Sequence, residues 1–151
     1  MNVSTVPSRT GSANILLVED NRSGRAARKS VLEELGYSVT TAACGEDALD
    51  RFSKAKFDLV VTGHRLARMD GVELIGGIRA LNPAVPVIML SGYVDALGLT
   101  EANTGADLVL AKCANEVTHL IRAVSRLLRL KAAKKPPASQ RSALKAKRRS
   151  L

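Results

Sequence analysis

Phe57–Gly71, FDLVVTGHRLARMDG, is the stretch from which the fold can be read. Leu59, Val60 and Val61 open it as an apolar strand. The strand breaks at Gly63, crosses a polar loop and restarts at Asp70-Gly71. The next segment, Val72–Leu81, sets Leu74, Ile75, Ile78 and Leu81 on one helical face, and Asn82-Pro83 ends it. Gly76-Gly77 inside this helix should cost about 1 kcal/mol each relative to Ala.

The same alternation extends in both directions. Toward the N-terminus, Ile15–Val18 is an unbroken apolar run, the mark of a strand buried on both faces, and it stops at Glu19-Asp20. Arg22–Leu35 follows as a helix with Ala27, Val31 and Leu35 four apart, and Gly36 is its stop signal. Ser38–Ala42 reads as a second strand, and Gly45–Lys54 as a helix carrying Ala48, Leu49 and Phe52. Toward the C-terminus, Val87–Leu90 is a strand ending at Ser91-Gly92, and Asp95–Asn103 is a helix poor in large apolar residues. Leu108–Ala111 is the last strand, ending at Lys112. Asn115–Leu130 carries the clearest stripe: Val117, Leu120, Ile121, Val124, Leu127 and Leu128.

Five strands alternating with five helices imply an α/β domain, a doubly wound parallel sheet with right-handed crossovers. Ligand sites of such sheets lie beyond the carboxyl ends of the strands. Glu19, Asp20, Gly63, Ser91 and Lys112 all stand at strand ends, so they should converge on one rim.

The chain has 151 residues, 46 % of them apolar, enough for a single core. All of its +9 charge resides in residues 129–151, which hold nine Lys/Arg and no acid; the rest is balanced. Cys44 and Cys113 have no ligand-like neighbours and read as two reduced thiols. Residues 1–13 lack the apolar core of a signal peptide and read as a disordered leader. No run is long enough for a membrane span, and a cytoplasmic location is expected. Residues 131–151, with Pro136-Pro137 and abundant Lys, Ala and Ser, read as a disordered basic tail. The folded domain is therefore expected over 14–130.

Together these motifs resemble the receiver domain of two-component response regulators, over about residues 14–130. Leu66, Met69, Asp70 and Gly71 match the family's Leu/Met-Pro-x-Met-Asp-Gly loop, with Ala67 in place of the proline. The resemblance implies a CheY-like sheet of order 2-1-3-4-5. It matches Glu19 and Asp20 to the Mg²⁺-binding acids, and Ser91 and Lys112 to the residues that meet the phosphoryl group. The position of the phosphoacceptor aspartate is occupied by Gly63, so nucleophile and one metal ligand are lost together, leaving a weak residual Mg²⁺ site with no cofactor required. Cys113 follows Lys112 where the family has a cis-proline, so a trans bond is expected there. Val109 stands at the position of the aromatic switch residue. Asp70 is expected to be structural.

The reading that follows is a non-enzymatic pseudo-receiver acting by protein–protein interaction in a phosphorelay. Its expected partner is a sensor histidine kinase or another response regulator. The expected surface is formed by Asp95–Asn103, Leu108–Ala111 and Asn115–Leu130, which would also serve a homodimer. Two alternatives stay open: phosphorylation at a non-standard residue, and nucleic-acid association through Lys134, Lys135, Arg141, Lys145, Lys147, Arg148 and Arg149. The tail has no aromatics for base stacking, so such binding would be non-specific.

Overall fold

Five short strands form one parallel sheet in the order β2-β1-β3-β4-β5. In the computed structural model, which describes residues 12–134, they are β1 (Asn14–Val18), β2 (Ser38–Ala42), β3 (Leu59–Gly63), β4 (Val87–Ser91) and β5 (Leu108–Ala111). The helices are α1 (Arg22–Glu34), α2 (Gly45–Lys54), α3 (Gly71–Leu81), α4 (Val94–Leu97), α5 (Glu101–Thr104) and α6 (Glu116–Lys134). Order, direction and strand positions agree with the sequence reading.

The sheet is covered on both faces, which is why its central strands carry apolar residues at every position. Leu16, Val18, Val60 and Met89 pack with Phe52 and Phe57 and with Leu74, Ile75 and Ile78 of α3 on one face. Ile15, Leu17, Leu59, Val61, Ile88 and Leu90 pack against Leu32 of α1 and Leu120, Ala123 and Val124 of α6 on the other.

The helices differ from expectation in five respects. On α1 the buried residue is Leu32, while Ala27 and Leu35 are exposed and Arg25 and Arg28 are drawn inward. On α3, Leu74, Ile75 and Ile78 are buried as expected, but Leu81, at the last position of the helix, is 55 % exposed. The Asp95–Asn103 helix is two short ones, α4 and α5, because Gly98 turns left-handed at φ 61° and closes α4. On α6, Leu120 and Val124 are buried as expected, but Val117 is 45 % exposed. Finally, α6 continues past Leu130 to Lys134, so the predicted start of the tail at 131 falls inside a helix. Lys131 Nζ donates to the backbone oxygen and Oδ1 of Asp58, both at 3.3 Å, fastening this last turn to the start of β3. The remainder of the predicted tail, including Lys135, Arg141, Lys145, Lys147, Arg148 and Arg149, lies outside the described residues, as does the predicted leader up to residue 11. Ser12 and Ala13, also assigned to that leader, are held: Ser12 Oγ donates to Gly36 O, and Ala13 O accepts from Ser38 N.

Two polar contacts define the lower and outer edges of the sheet. Arg79 donates to the carbonyls of Pro83, Val85 and Gly105 and to Asp107 Oδ2, joining the loops that lead into β4 and β5. On the edge strand β5, Glu101 Oε2 accepts the Val109 N–H at 3.0 Å. No helix among the described residues is long and apolar enough to cross a membrane.

Candidate functional site

The carboxyl ends of β1, β3, β4 and β5 bring Glu19, Gly63, Ser91 and Lys112 to one rim, with Asp20 exposed beside it. A close approach of two backbones shapes the middle of this rim. Gly71 N donates to His64 O at 2.7 Å, and a Cβ on Gly71 would collide with the Gly63 carbonyl oxygen. That is why the Asp-Gly pair of the opening stretch ends in glycine. Asp70 is structural, as expected. Its Oδ1 accepts Glu73 N at 2.9 Å and its own N–H donates to Glu73 Oε1 at 3.3 Å, a reciprocal cap that starts α3.

Gly63 ends β3 with no side chain above the sheet. A Cβ placed there would meet Glu19 Oε1 at 3.6 Å and Leu66 Cδ2 at 3.7 Å, ordinary contact distances, so the position is open rather than filled. Across this opening Lys112, at the end of β5, reaches Glu19, at the end of β1, with Nζ 3.0 Å from Oε1. Its backbone N–H also donates to Ser91 O at 2.9 Å. Ser91 is buried, and its Oγ accepts the Tyr93 N–H at 3.0 Å, shaping the loop after β4. Thr62 is buried with its hydroxyl on Gly63 O, and His64 Nδ1 is buried without a hydrogen-bond partner.

Glu19 is the hub. It is 3 % exposed, and its two oxygens meet three donors. Oε1 takes Lys112 Nζ and, at 3.1 Å, Arg28 Nη1; Oε2 takes the Asn21 N–H at 3.1 Å. Arg28 Nε in turn donates to Glu116 Oε2 at 2.6 Å, at the start of α6, while Arg25 Nη1 donates to the Glu19 carbonyl at 2.8 Å. Burial alone would raise the Glu19 pKa. The Asn21 N–H and the hydrogen bond and charge of Lys112 outweigh it and leave the pKa lowered.

Arg25, Arg28 and Glu116 were not among the sequence-based site residues. The two arginines had a signal, a second helical spacing in which Arg25, Arg28 and Leu32 recur on one face of α1; Glu116 had none. Arg65 and Tyr93 were likewise missed; the guanidinium lies 4.3 Å from the Tyr93 ring centroid and links the loops after β3 and β4. Val109, the expected switch position, packs its side chain against the core with Leu66, Met69 and Leu99. There is no cis peptide among the described residues, so the Lys112–Cys113 bond is trans.

The residues present do not fit Mg²⁺. The ion takes oxygen ligands in near-octahedral geometry. Here both Glu19 oxygens are engaged, two cationic side chains press on Oε1, and β3 offers no carboxylate. Of the two acids expected to form a weak site, Glu19 is thus engaged by protein donors and Asp20 stands exposed beside it. Among the described residues no group of three or more His, Cys, Asp or Glu is placed to hold a metal. A groove of about 590 Å³ lined by Arg79, Pro86, Arg126 and Lys131 opens at the opposite end of the strands and takes no part in this chemistry.

The model of the response regulator receiver domain matches residues 15–125. Among curated relatives, the transcriptional regulatory protein ZraR of Escherichia coli K12 is 38 % identical over 94 residues, which is 62 % of this chain and 21 % of that protein. The sensor kinase CckA of Brucella abortus is 35 % identical over 88 residues, 57 % of this chain and 9 % of that one. The chain thus spans about a fifth or less of the length of these relatives. Among solved structures, a CheY-like receiver domain protein of Methanospirillum hungatei JF-1 superposes with a TM-score of 0.76 at 27 % identity, covering 83 % of this chain and all of that one. The receiver domain of sensor histidine kinase PA1611 from Pseudomonas aeruginosa PAO1, which holds a coordinated magnesium ion, gives 0.71 at 29 % identity over 78 % of this chain and 98 % of that one. Fold, rim and comparisons agree: this chain belongs to the response regulator receiver family.

Proposed function

We propose that the chain is a pseudo-receiver, a protein-interaction module of a two-component pathway that neither accepts nor transfers a phosphoryl group. The observation that carries this reading is Gly63. It ends β3 at the middle of the rim and supplies neither a nucleophile nor a metal ligand. Val109 supports it too, because a packed β-branched side chain has no aromatic ring to swing between rotamers.

The partner is a sensor histidine kinase or another response regulator, bound at the face of α4, β5 and α6. Tyr93, Leu97 and Val117 stand there 45 %, 47 % and 45 % exposed, large apolar groups suited to a protein interface. A second copy of this chain is the competing occupant of the same face. The direct test is incubation with acetyl phosphate and Mg²⁺ followed by intact-mass measurement. The mass should not change; a phosphoryl adduct would overturn the reading, and peptide mapping would locate the acceptor.

A second reading is favoured by one further observation. Arg122, Arg126 and Arg129 are exposed on α6 at i, i+4 and i+7, a basic stripe on the helix that precedes the basic C-terminal sequence. Such a surface binds polyanionic backbones by counterion release, without reading sequence. On this view the receiver fold would bring a nucleic acid to the signalling partner.

A further inference from the structure

A guanidinium is drawn onto the buried carboxylate of the rim. Arg28 is 11 % exposed at its side chain and is bound at both ends of its fork: Nη1 to Glu19 Oε1 at 3.1 Å and Nε to Glu116 Oε2 at 2.6 Å. Lys112 completes a four-residue chain, Lys112–Glu19–Arg28–Glu116, that ties the ends of β1 and β5 to the middle of α1 and the start of α6. Space for the guanidinium is provided by the sequence itself. A Cβ on Gly24, one turn earlier on α1, would lie 2.7 Å from Arg28 Nη1. With glycine at position 24, the guanidinium can fold back close over the helix; a side chain there would require it to shift.

Chemistry favours a permanent occupant. A planar, always-charged guanidinium can satisfy two carboxylates at once with directed hydrogen bonds. A divalent ion entering beside Glu19 would have to displace it and strand the Glu116 carboxylate, 14 % exposed at its side chain, without its partner. From this we infer that Arg28 is the resident cation of the rim: it stands in for the divalent ion and fixes the junction of β1, α1, β5 and α6 in a single, metal-independent arrangement. This deepens the pseudo-receiver reading and rests on it. The signalling surface carried by β5 and α6 is set by an internal ion-pair chain, not by metal and phosphoryl occupancy.

The test restores the missing carboxylate and asks whether Arg28 resists the metal. The wild-type chain of residues 1–151, Gly63→Asp and Gly63→Asp/Arg28→Ala are compared for Mg²⁺-dependent thermal shift, each first shown by circular dichroism to be folded in EDTA. Wild type should not respond. Gly63→Asp should respond weakly, and the double variant should bind Mg²⁺ at least about tenfold more tightly, because a nearby positive charge has been removed. Equal affinity in the two variants, or no response from either, overturns the inference. Should Arg28→Ala fail to fold, Gly24→Ala in the Gly63→Asp background pushes the guanidinium aside and keeps its charge. It should likewise tighten Mg²⁺ binding, and unchanged affinity there is equally fatal. Failure of the pseudo-receiver reading shows elsewhere, as a phosphoryl adduct on the wild-type chain, whatever these affinities prove to be.

Discussion

Burial pushes the Glu19 pKa up, and the Asn21 N–H and Lys112 push it down further, so the folded value lies below the ordinary one. For a lowered carboxyl the sign is fixed by linkage. The stabilisation is fully present above the unfolded value, about 4.3, and is lost as pH falls through the folded value. The groups facing this carboxylate are Asn21 N–H, Lys112, Asp20 and Arg28, with Glu116 behind the last. Glu19→Gln should therefore lower stability at neutral pH by about 1.5–3 kcal/mol and shrink the gap between variant and wild type as the medium is acidified below pH 4. Urea melts across that range decide it; a pH-independent difference would mean the charge contributes nothing. Much of this rim was legible in the sequence. Glu19, Ser91 and Lys112 stop apolar runs, and a side chain that ends a parallel strand can hardly avoid the rim. Arg28 was only half legible: it shares a helical face with Arg25 and the buried Leu32, but a charged residue inside a helix ordinarily faces water. Its inward turn depends on a partner that lies 88 positions away, at Glu116.

Among elements, α3 sets the two adjacent glycines of the sequence in opposite situations. A Cβ on Gly76 would meet nothing within 4 Å, whereas one on Gly77 would come within 2.8 Å of Leu49 Cδ2 on α2. Gly76→Ala should raise stability by about 0.5–1 kcal/mol through helix propensity alone. Gly77→Ala should gain less or lose, since the Leu49 side chain must shift to make room. Thermal melts of the two variants compare them directly, and an equal gain at both would refute the packing argument. The strands were readable almost to the residue because a strand buried on both faces tolerates few polar groups. Helices proved less so. The Ala27–Val31–Leu35 spacing on α1 is a valid helical face, but Leu32 lies under the sheet and carries the burial. Gly98 and Gly105, both with positive φ, bound the short α5 segment and prevent one continuous helix through Asp95–Asn103.

For the whole molecule, the boundary between domain and basic extension falls later than composition suggested. A chain ending after Lys134 keeps the Lys131–Asp58 contact and should melt like the full chain. One ending after Leu130 loses the contact and the last turn of α6, and should melt about 2–4 °C lower. The same truncations test polyanion binding. Removing residues 135–151 should lower the salt needed for elution from heparin and flatten its salt dependence. Charge reversal at Arg122 and Arg126 should lower it further. Unchanged elution in both would dismiss the nucleic-acid reading. The Glu101 carboxylate on the Val109 N–H bears on how copies of the chain coexist. β5 borders the sheet, and in a parallel ladder alternate N–H groups of a border strand point away from it, free to pair with a passing chain. Glu101 occupies one such donor with its own side chain and adds a negative charge along the margin. The margin is thereby closed to strand-by-strand addition while the apolar groups beside it remain accessible. Glu101→Ala should thus leave the monomer folded yet make it associate with rising concentration, visible by light scattering: a loss of solubility from a residue that touches no partner.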